Sequence, residues 1–288
     1  MQEITSYLAP RSLDEALQAM ATGDVTVFCG GTDLAPQTEA GVRRYSTRLM
    51  NIRRIENLDG IEEKDGVIRI GALTTISEIR RHPLIAGAAP ILAEAAEHFA
   101  SDQIRNVASI GGNICNASPA GDMINPLLVL DAAVELASWA DGAQQKRRVP
   151  LEHFFTSPQR TVKRADELLT SVTFRKPAAD FVGRFRKSGP RPALEISTVS
   201  VGVGGNFSGG VLRNARVAFG SVAPTPLRAR HVEAALEGCK LNADVISAAL
   251  VAARSDAKPI DDVRASAWYR SHLLEVFLEE VLHHVRGN

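Results

Sequence analysis

A segment crowded with small residues, at positions 105–130, narrows the choice of fold more than any other part of the chain. It reads RNVASIGGNICNASPAGDMINPLLVL. Ordered glycine costs extra backbone entropy and proline lacks an amide donor, so we expect little regular helix or strand here. Gly111 and Gly112 have no Cβ, which would let their amides lie against a ligand oxygen. The polar side chains that could contact such a ligand are Ser109, Asn113, Asn116 and, as an acceptor from sugar hydroxyls, Asp122. A nucleotide fits this set of groups.

A second glycine pair follows a short apolar run near the N-terminus. Residues 25–28 read as a buried strand, and residues 35–43 as a helix. Between them lies the turn Cys29-Gly30-Gly31-Thr32-Asp33-Leu34. Successive amides in such a turn can form an anion-binding concavity, to which the helix N-terminus adds its dipole. The sequence matches neither the Walker A motif nor the dinucleotide fingerprint GxGxxG, so it indicates another class of nucleotide site.

Three motifs together carry a resemblance to a known family. GGTDL at residues 30–34, IGALTT at residues 70–75 and SIGGN at residues 109–113 are similar to the FAD-binding medium subunit of the molybdenum hydroxylases. That group includes xanthine dehydrogenase and aerobic carbon monoxide dehydrogenase. The resemblance covers essentially the whole chain, and the order and spacing of the motifs make it more specific than either glycine pair.

The resemblance implies an α+β fold with two domains. Residues 1–177 would form an FAD-binding domain of the vanillyl-alcohol-oxidase/PCMH type, with subdomains at about 1–54 and 55–177. Residues 178–288 would form a C-terminal α+β domain of the CO dehydrogenase flavoprotein type, an antiparallel sheet with helices. The order of elements after residue 178, strands first and helices later, independently suggests a separate α+β domain.

The resemblance also implies a role in electron transfer. A large subunit with a molybdenum–pterin cofactor would oxidise the substrate, and a small subunit with [2Fe–2S] clusters would relay the electrons. FAD, bound here without a covalent link, would pass them to NAD, oxygen or a quinone. The assembly would be a dimer of heterotrimers. No catalytic acid, base or nucleophile is needed on this chain.

The residues expected to hold FAD are carried over from the family motifs. They are Cys29, Gly30, Gly31, Thr32, Asp33, Leu34, Phe99, Ser109, Ile110, Gly111, Gly112, Asn113, Asp122, Leu169 and Lys187. The first turn would hold the diphosphate through its backbone and the Thr32 hydroxyl. Asp33 would repel a diphosphate, so we expect it to cap the following helix instead.

Three of these residues keep a structural alternative. Asp122 would contact the adenosine side of FAD or would cap a helix at residues 123–130. Phe99 would lie near the flavin or would be ordinary core. Lys187 would lie at the pyrimidine edge of the flavin, where its charge could stabilise the anionic reduced ring, or would be solvated beside Arg184 and Arg186.

Composition excludes several other functions. Lysine plus arginine and aspartate plus glutamate are equal, at 33 each, so no basic field for nucleic acid exists. No apolar run reaches membrane-spanning length, and residues 1–5 lack the features of a signal peptide, so we expect a cytoplasmic protein. Cys29, Cys115 and Cys239 are too few to hold an iron–sulfur cluster. The seven histidines show no metal-binding spacing, so we predict no metal site.

Local signals predict several elements outside the two glycine segments. Ser12 and Glu15 have the spacing of a capping box. Asp-Gly pairs at residues 65–66 and 141–142 predict β-hairpins, and residues 208–210 predict a longer one between strands at 196–206 and 212–220. Helical periodicity appears at residues 76–81, 90–100, 227–236, 243–254 and 266–285.

Two rival functions remain open from the sequence. A self-contained FAD oxidase or dehydrogenase of a small alcohol would need a substrate domain with a Tyr, His or Arg group, and residues after 178 show no obvious one. A non-catalytic nucleotide-binding module would use the same glycine segments. Turnover by the isolated chain would favour the oxidase, and failure to bind FAD would favour the module.

Overall fold

The computed structural model describes residues 3–189 and 196–287. It does not describe Met1, Gln2, residues 190–195 and Asn288. All of these residues belong to the predicted domains, and the first two also belong to the N-terminal segment that was tested for the features of a signal peptide. Within the described ranges, no helix combines the length and apolar character needed to cross a bilayer.

The N-terminal unit is a small parallel sheet with two helices. Its elements are β1 Ser6–Leu8, α1 Leu13–Ala21, β2 Thr26–Phe28, α2 Leu34–Glu39 and β3 Arg48–Asn51. β3 lies between β1 and β2 and is parallel to both, so β2, α2 and β3 form a βαβ unit around the first glycine turn. The Ser12 hydroxyl accepts from the Glu15 amide at 3.2 Å as predicted, but the Glu15 carboxylate accepts from the Arg11 amide at 2.9 Å. Helix α2 ends four residues before the predicted position 43.

The middle unit is an antiparallel sheet of five strands covered by short helices. Its first elements are β4 Ile61–Lys64, β5 Val67–Gly71, α3 Ile76–Arg81, α4 Pro83–Ala88, α5 Pro90–Glu97 and α6 Asp102–Arg105. They are followed by α7 Ile110–Asn116, α8 Ile124–Val129, β6 Ala133–Ala140, β7 Ala143–Pro150, β8 Phe155–Ser157, β9 Arg160–Thr161 and β10 Leu168–Arg175. The strand order is β4-β5-β10-β6-β7. Both Asp-Gly hairpins are confirmed, and each pair has positive φ at both positions, as a tight hairpin turn requires.

The prediction that residues 105–130 lack regular structure is wrong, because α7 and α8 both lie in this segment. The Ser109 hydroxyl caps α7 by accepting from the Gly112 amide at 3.1 Å. Ala117, with φ of 50°, ends the helix in the left-handed conformation. Tertiary packing compensates for the weak helix propensity of glycine in α7, since Gly111 is buried. Every residue of α8 is buried as well.

The C-terminal unit is an antiparallel sheet covered by helices. Its elements are β11 Phe181–Ser188, β12 Val199–Ser208, β13 Val211–Gly220, β14 Leu227–Arg228, α9 Arg230–Leu236, β15 Cys239–Lys240, α10 Ala243–Asp256 and α11 Ala267–Arg286. The strand order is β11-β12-β13-β14, and β15 pairs with β13. The long α11 packs on the sheet, and α10 packs on α9 and α11. The predicted hairpin at residues 208–210 and the predicted late helices are confirmed, although α9 begins at Arg230 and not at residue 227. The predicted α+β fold class is therefore confirmed.

The middle and C-terminal units pack closely against each other. A Cβ added at Gly204 on β12 would lie 2.6 Å from Cγ1 of Val129, and one at Gly183 on β11 would lie 3.0 Å from Cβ of Ile91. Glycine in these strands lets α5 and α8 approach the sheet directly. The C-terminal unit can therefore supply side chains to a cavity that the first two units enclose.

Candidate cofactor-binding site

A cavity of about 1550 Å³ is lined by residues from all three units. Its volume exceeds the range of about 300–1,000 Å³ that is usual for sites of drug-sized ligands. The first glycine turn, α7 and the ends of β9 and β10 all contribute to the walls. Such a space suits an elongated ligand of nucleotide size or larger.

The first glycine turn presents unused backbone donors to this cavity. Among the described residues, we find no protein acceptor for the amides of residues 30–33. Gly31 has φ of +69°, and a Cβ there would meet nothing within 4 Å. Gly30, in contrast, has its Cα against the carbonyl oxygen of Val107, where a Cβ would lie at 2.3 Å. The turn therefore packs against Val107 at Gly30, while the space beside Gly31 is open to the cavity. This geometry fits an anionic group such as a diphosphate.

The second glycine segment uses its amides within the protein. The Gly111 amide donates to the Ala72 carbonyl oxygen at 2.9 Å, and the Gly112 amide donates to the Ser109 hydroxyl at 3.1 Å. A Cβ at Gly111 would lie 2.7 Å from the same Ala72 oxygen. The expectation that these two amides contact a ligand oxygen is therefore wrong. Glycine is required at position 111 because α7 packs directly on the backbone of Ala72.

Side chains join the two glycine segments across the cavity. Cys29 Sγ and Ser109 Oγ are 3.1 Å apart and share a hydrogen bond. Gln37 Nε2 donates to Asn116 Oδ1 at 3.0 Å, and Asn116 Nδ2 donates to the Asp33 carboxylate. Asp33 occupies the N-cap position of α2 but makes no side-chain capping bond, so the predicted capping role is wrong. The bond from Asn116 holds the Asp33 carboxylate in place beside the turn.

A buried ion pair lies where the middle and C-terminal units meet. Lys187 Nζ donates to Asp122 Oδ2 at 2.7 Å, and their side chains are only 3% and 7% exposed. The Ser197 hydroxyl also donates to the Asp122 carboxylate. Asp122 does not cap α8, whose N-cap residue is Met123, and Lys187 is not solvated. Because the two side chains touch, they cannot contact opposite ends of a cofactor as expected from the sequence.

The cavity brings most of the predicted residues together. Those on its walls are Cys29, Gly30, Gly31, Thr32, Asp33, Leu34, Phe99, Ser109, Gly111, Gly112, Asn113, Asp122 and Leu169. Ile110 is fully buried in the core of the middle unit and does not line the cavity. Lys187 is also absent from the walls and reaches the site through Asp122.

Basic side chains near the first turn were missed by the sequence analysis. Arg43, Arg44 and Lys163 line the cavity. Burial raises the pKa of the Cys115 thiol, while the positive charges of Lys163 and Arg43 act in the opposite direction. Lys163 follows β9 and Arg43 follows α2, so only the fold brings them to the same thiol. Their charge favours an anionic ligand.

Glu167 is a further residue of the cavity wall that the sequence did not single out. Its side chain is 1% exposed and accepts from Arg147 Nε at 2.6 Å and from the Arg164 amide at 2.7 Å. Burial acts to raise the pKa of Glu167, but these hydrogen bonds outweigh it and hold the pKa below its usual value. The carboxylate is therefore ionised and fixed, which stabilises the end of β10 where Leu169 lies.

Among the residues that the structure describes, no group of three or more His, Cys, Asp or Glu side chains is placed to hold a metal ion. A large cavity, an open amide turn and nearby basic side chains define a protein that binds a large phosphorylated cofactor.

Comparison with known proteins identifies that cofactor. A family model described as the FAD binding domain in molybdopterin dehydrogenase matches residues 2–177, and one described as the CO dehydrogenase flavoprotein C-terminal domain matches residues 184–285. The chain therefore belongs to the FAD-binding medium subunits of the molybdenum hydroxylase family, and its cofactor is FAD. It is accordingly an oxidoreductase subunit.

Individual relatives match along their full length. The chain is 32% identical over 285 residues to the putative xanthine dehydrogenase FAD-binding subunit of Escherichia coli, covering 98% of this chain and 96% of the relative. It is similar in structure to carbon monoxide dehydrogenase from Hydrogenophaga pseudoflava, with a TM-score of 0.91, 29% identity and 96% coverage of both chains. Quinoline 2-oxidoreductase from Pseudomonas putida gives a TM-score of 0.90 at 25% identity, covering 98% of this chain and 96% of that chain.

Proposed function

We propose that FAD lies in the cavity with its diphosphate on the amides of residues 30–33. The observation that carries this assignment is the open turn at Gly31, whose amides have no protein acceptor that we find among the described residues and whose front faces the cavity. Thr32 adds a hydroxyl at the same wall, and Arg43 and Lys163 add positive charge. Together these groups would balance the charge of a diphosphate.

We further propose that Asp122 and Lys187 act on the same part of FAD, the pyrimidine edge of the flavin. That edge presents an N–H donor between two carbonyl acceptors, and the Asp122 carboxylate on the cavity wall could accept from this N–H, with Lys187 acting through Asp122. Ser197 holds the Asp122 carboxylate, and Lys187 supplies a buried positive charge. The positive charge of Lys187 would offset the charge of the Asp122 carboxylate, so that this carboxylate would not oppose formation of the anionic reduced flavin. This assignment replaces the adenosine contact that the sequence suggested for Asp122.

The chain would act as the flavin subunit of a larger enzyme. The bound FAD would accept electrons from [2Fe–2S] clusters of a small subunit, after a molybdenum–pterin subunit oxidises the substrate, and pass them to NAD, oxygen or a quinone. The relatives support this role, since their names describe FAD-binding subunits and medium chains of dehydrogenases. A dimer of heterotrimers is the assembly we propose.

Two broader assignments accompany this role. We propose a division between an FAD-binding domain at 1–177 and a C-terminal domain at 178–288. The second contributes Lys187 and Ser197 to the cavity region. We also propose a cytoplasmic location, supported by the three cysteines, none of which forms a disulfide.

An absorbance spectrum of the purified chain tests the proposal. It should be recorded before and after incubation with FAD and desalting, and on material purified together with its partner subunits. We expect flavin bands that denaturation releases as intact FAD, because no covalent link is proposed. Absence of flavin from every preparation would contradict the proposal. Turnover of small alcohols by the chain alone would instead identify a self-contained oxidase.

A further inference from the structure

One wall of the cavity is a strained turn between two short helices. Helix α5 ends at Glu97, and α6 begins at Asp102. Phe99 and Ala100 lie between them and line the cavity. Ala100 has φ of +40°, a left-handed conformation that is unfavourable for any residue with a Cβ. Such a turn needs contacts from its surroundings to keep this shape.

A single buried guanidinium supplies those contacts. Arg105, on α6, is 8% exposed. Its Nη1 donates to the carbonyl oxygens of Glu97 at 3.2 Å and Ala100 at 3.2 Å, and also to that of Phe99. The Glu97 carbonyl, at the C-terminus of α5, has no partner within the helix and is satisfied by this contact. The carbonyls of Phe99 and Ala100 in the turn are satisfied by the same guanidinium.

Arg105 is itself held by a carboxylate at the surface. Its Nη2 donates to Asp102 Oδ1 at 2.8 Å, and Arg80 Nη1 donates to the same oxygen at 3.1 Å. The hydrogen bond from Arg105 lowers the pKa of Asp102, so this carboxylate remains ionised at neutral pH. The planar fork of arginine can bind the carbonyls with one arm and the carboxylate with the other.

We propose that Arg105 is a positioning residue that holds the Phe99 ring on the cavity wall, where it packs against bound FAD. This inference rests on the proposed function. Without the guanidinium, three carbonyl oxygens would converge with no donor between them, and the turn would relax. Phe99 would then leave the wall, although Arg105 itself does not line the cavity.

A double-mutant cycle on FAD affinity tests this role. Arg105→Met, in the chain purified with or without its partners, should raise the FAD dissociation constant by about tenfold or more, and should change the shape of the bound flavin's visible spectrum. Arg105→Lys should restore part of the affinity, because one ammonium can still reach the carbonyls. In a Phe99→Leu background, Arg105→Met should change the affinity by less than about twofold, since the ring it positions is gone.

A matched control separates positioning from general stability. Arg228 is as buried as Arg105 and bonds to Glu233 in the C-terminal unit, away from the cavity. Arg228→Met should lower the melting temperature while leaving FAD affinity and spectrum unchanged. Equal effects of the Arg105 variants with and without Phe99 would overturn the inference; if Arg105→Met fails to fold, Arg105→Lys carries the cycle. Failure of the unmutated chain to bind FAD would instead refute the proposed function.

Discussion

The turn at residues 29–34 and the segment at residues 109–116 each contain a Gly-Gly pair, and they line the same cavity. Their glycines nevertheless have different structural roles. In the turn, the space in front of Gly31 is open, and we find no protein acceptor for the neighbouring amides among the described residues. In the segment, the Gly111 and Gly112 amides are bonded within the protein, and Gly111 touches the backbone of Ala72.

This contrast shows that a glycine pair can serve a ligand or the packing of the protein itself. The turn leaves donors available, so we expect its glycines to affect binding. The segment brings α7 against the middle sheet, so its glycines affect folding and reach the ligand only through the shape of the cavity wall. A substitution in each place should therefore change a different measured quantity.

The largest effect on stability is expected at Asp122, which follows the second segment in the chain and belongs to the buried ion pair. Asp122→Ala leaves the Lys187 ammonium, 3% exposed, without the carboxylate that it contacts at 2.7 Å. Loss of one partner of such a pair typically costs about 3–5 kcal/mol of unfolding free energy. Chemical denaturation of the FAD-free chain measures it.

The double variant Asp122→Leu with Lys187→Met is the matched control for this prediction. Removing both charges should restore stability to within about 1–2 kcal/mol of the unmutated chain, because no buried charge is left unpaired. FAD retention should be lost in both proteins. An Asp122→Ala chain as stable as the original would show that the pair does not form.

A smaller loss of stability is expected at Gly111. Gly111→Ala places a Cβ 2.7 Å from the Ala72 oxygen and 2.8 Å from the Ala72 Cβ. Overpacking of this kind costs about 1–3 kcal/mol, and denaturation of the FAD-free chain should show it. Gly112→Ala is the control, since its nearest contact is the Ser109 hydroxyl at 3.0 Å and alanine is the better helix former. A neutral Gly111→Ala variant would remove the contrast between the two segments.

The sequence predicted the first turn better than the second segment for a physical reason. The turn depends on local features, a strand that ends and a helix that begins, which residues 25–39 contain themselves. The segment depends on distant partners. Its composition argues against helix, and α7 is stabilised by contact with Ala72, by the cap from Ser109 and by burial of Ile110 and Ile114 in the core. Composition alone could not reveal those contacts.

Side-chain pairs between distant parts of the chain were also beyond sequence reasoning. Asp122 and Lys187 were each singled out, but 65 positions separate them and no local pattern indicates that they touch. Asn116 was named as a possible ligand donor, while the structure shows it bonded to Asp33 and Gln37. The hairpins at residues 65–66 and 141–142 were predicted correctly because Asp-Gly carries its own turn geometry.

The smallest change in stability, with a clear change in binding, is expected at Gly31. Asparagine tolerates the φ of +69° found there, so Gly31→Asn should cost less than about 1 kcal/mol of stability. Its side chain would occupy the open space in front of the amides and should raise the FAD dissociation constant by about tenfold to a hundredfold. Gly41→Asn is a close control, because Gly41 has φ of +70°, open space around a Cβ and no place on the cavity wall. If flavin titration shows the same affinity for both variants and the unmutated chain, the diphosphate does not lie on this turn, and the two glycine segments differ only in packing.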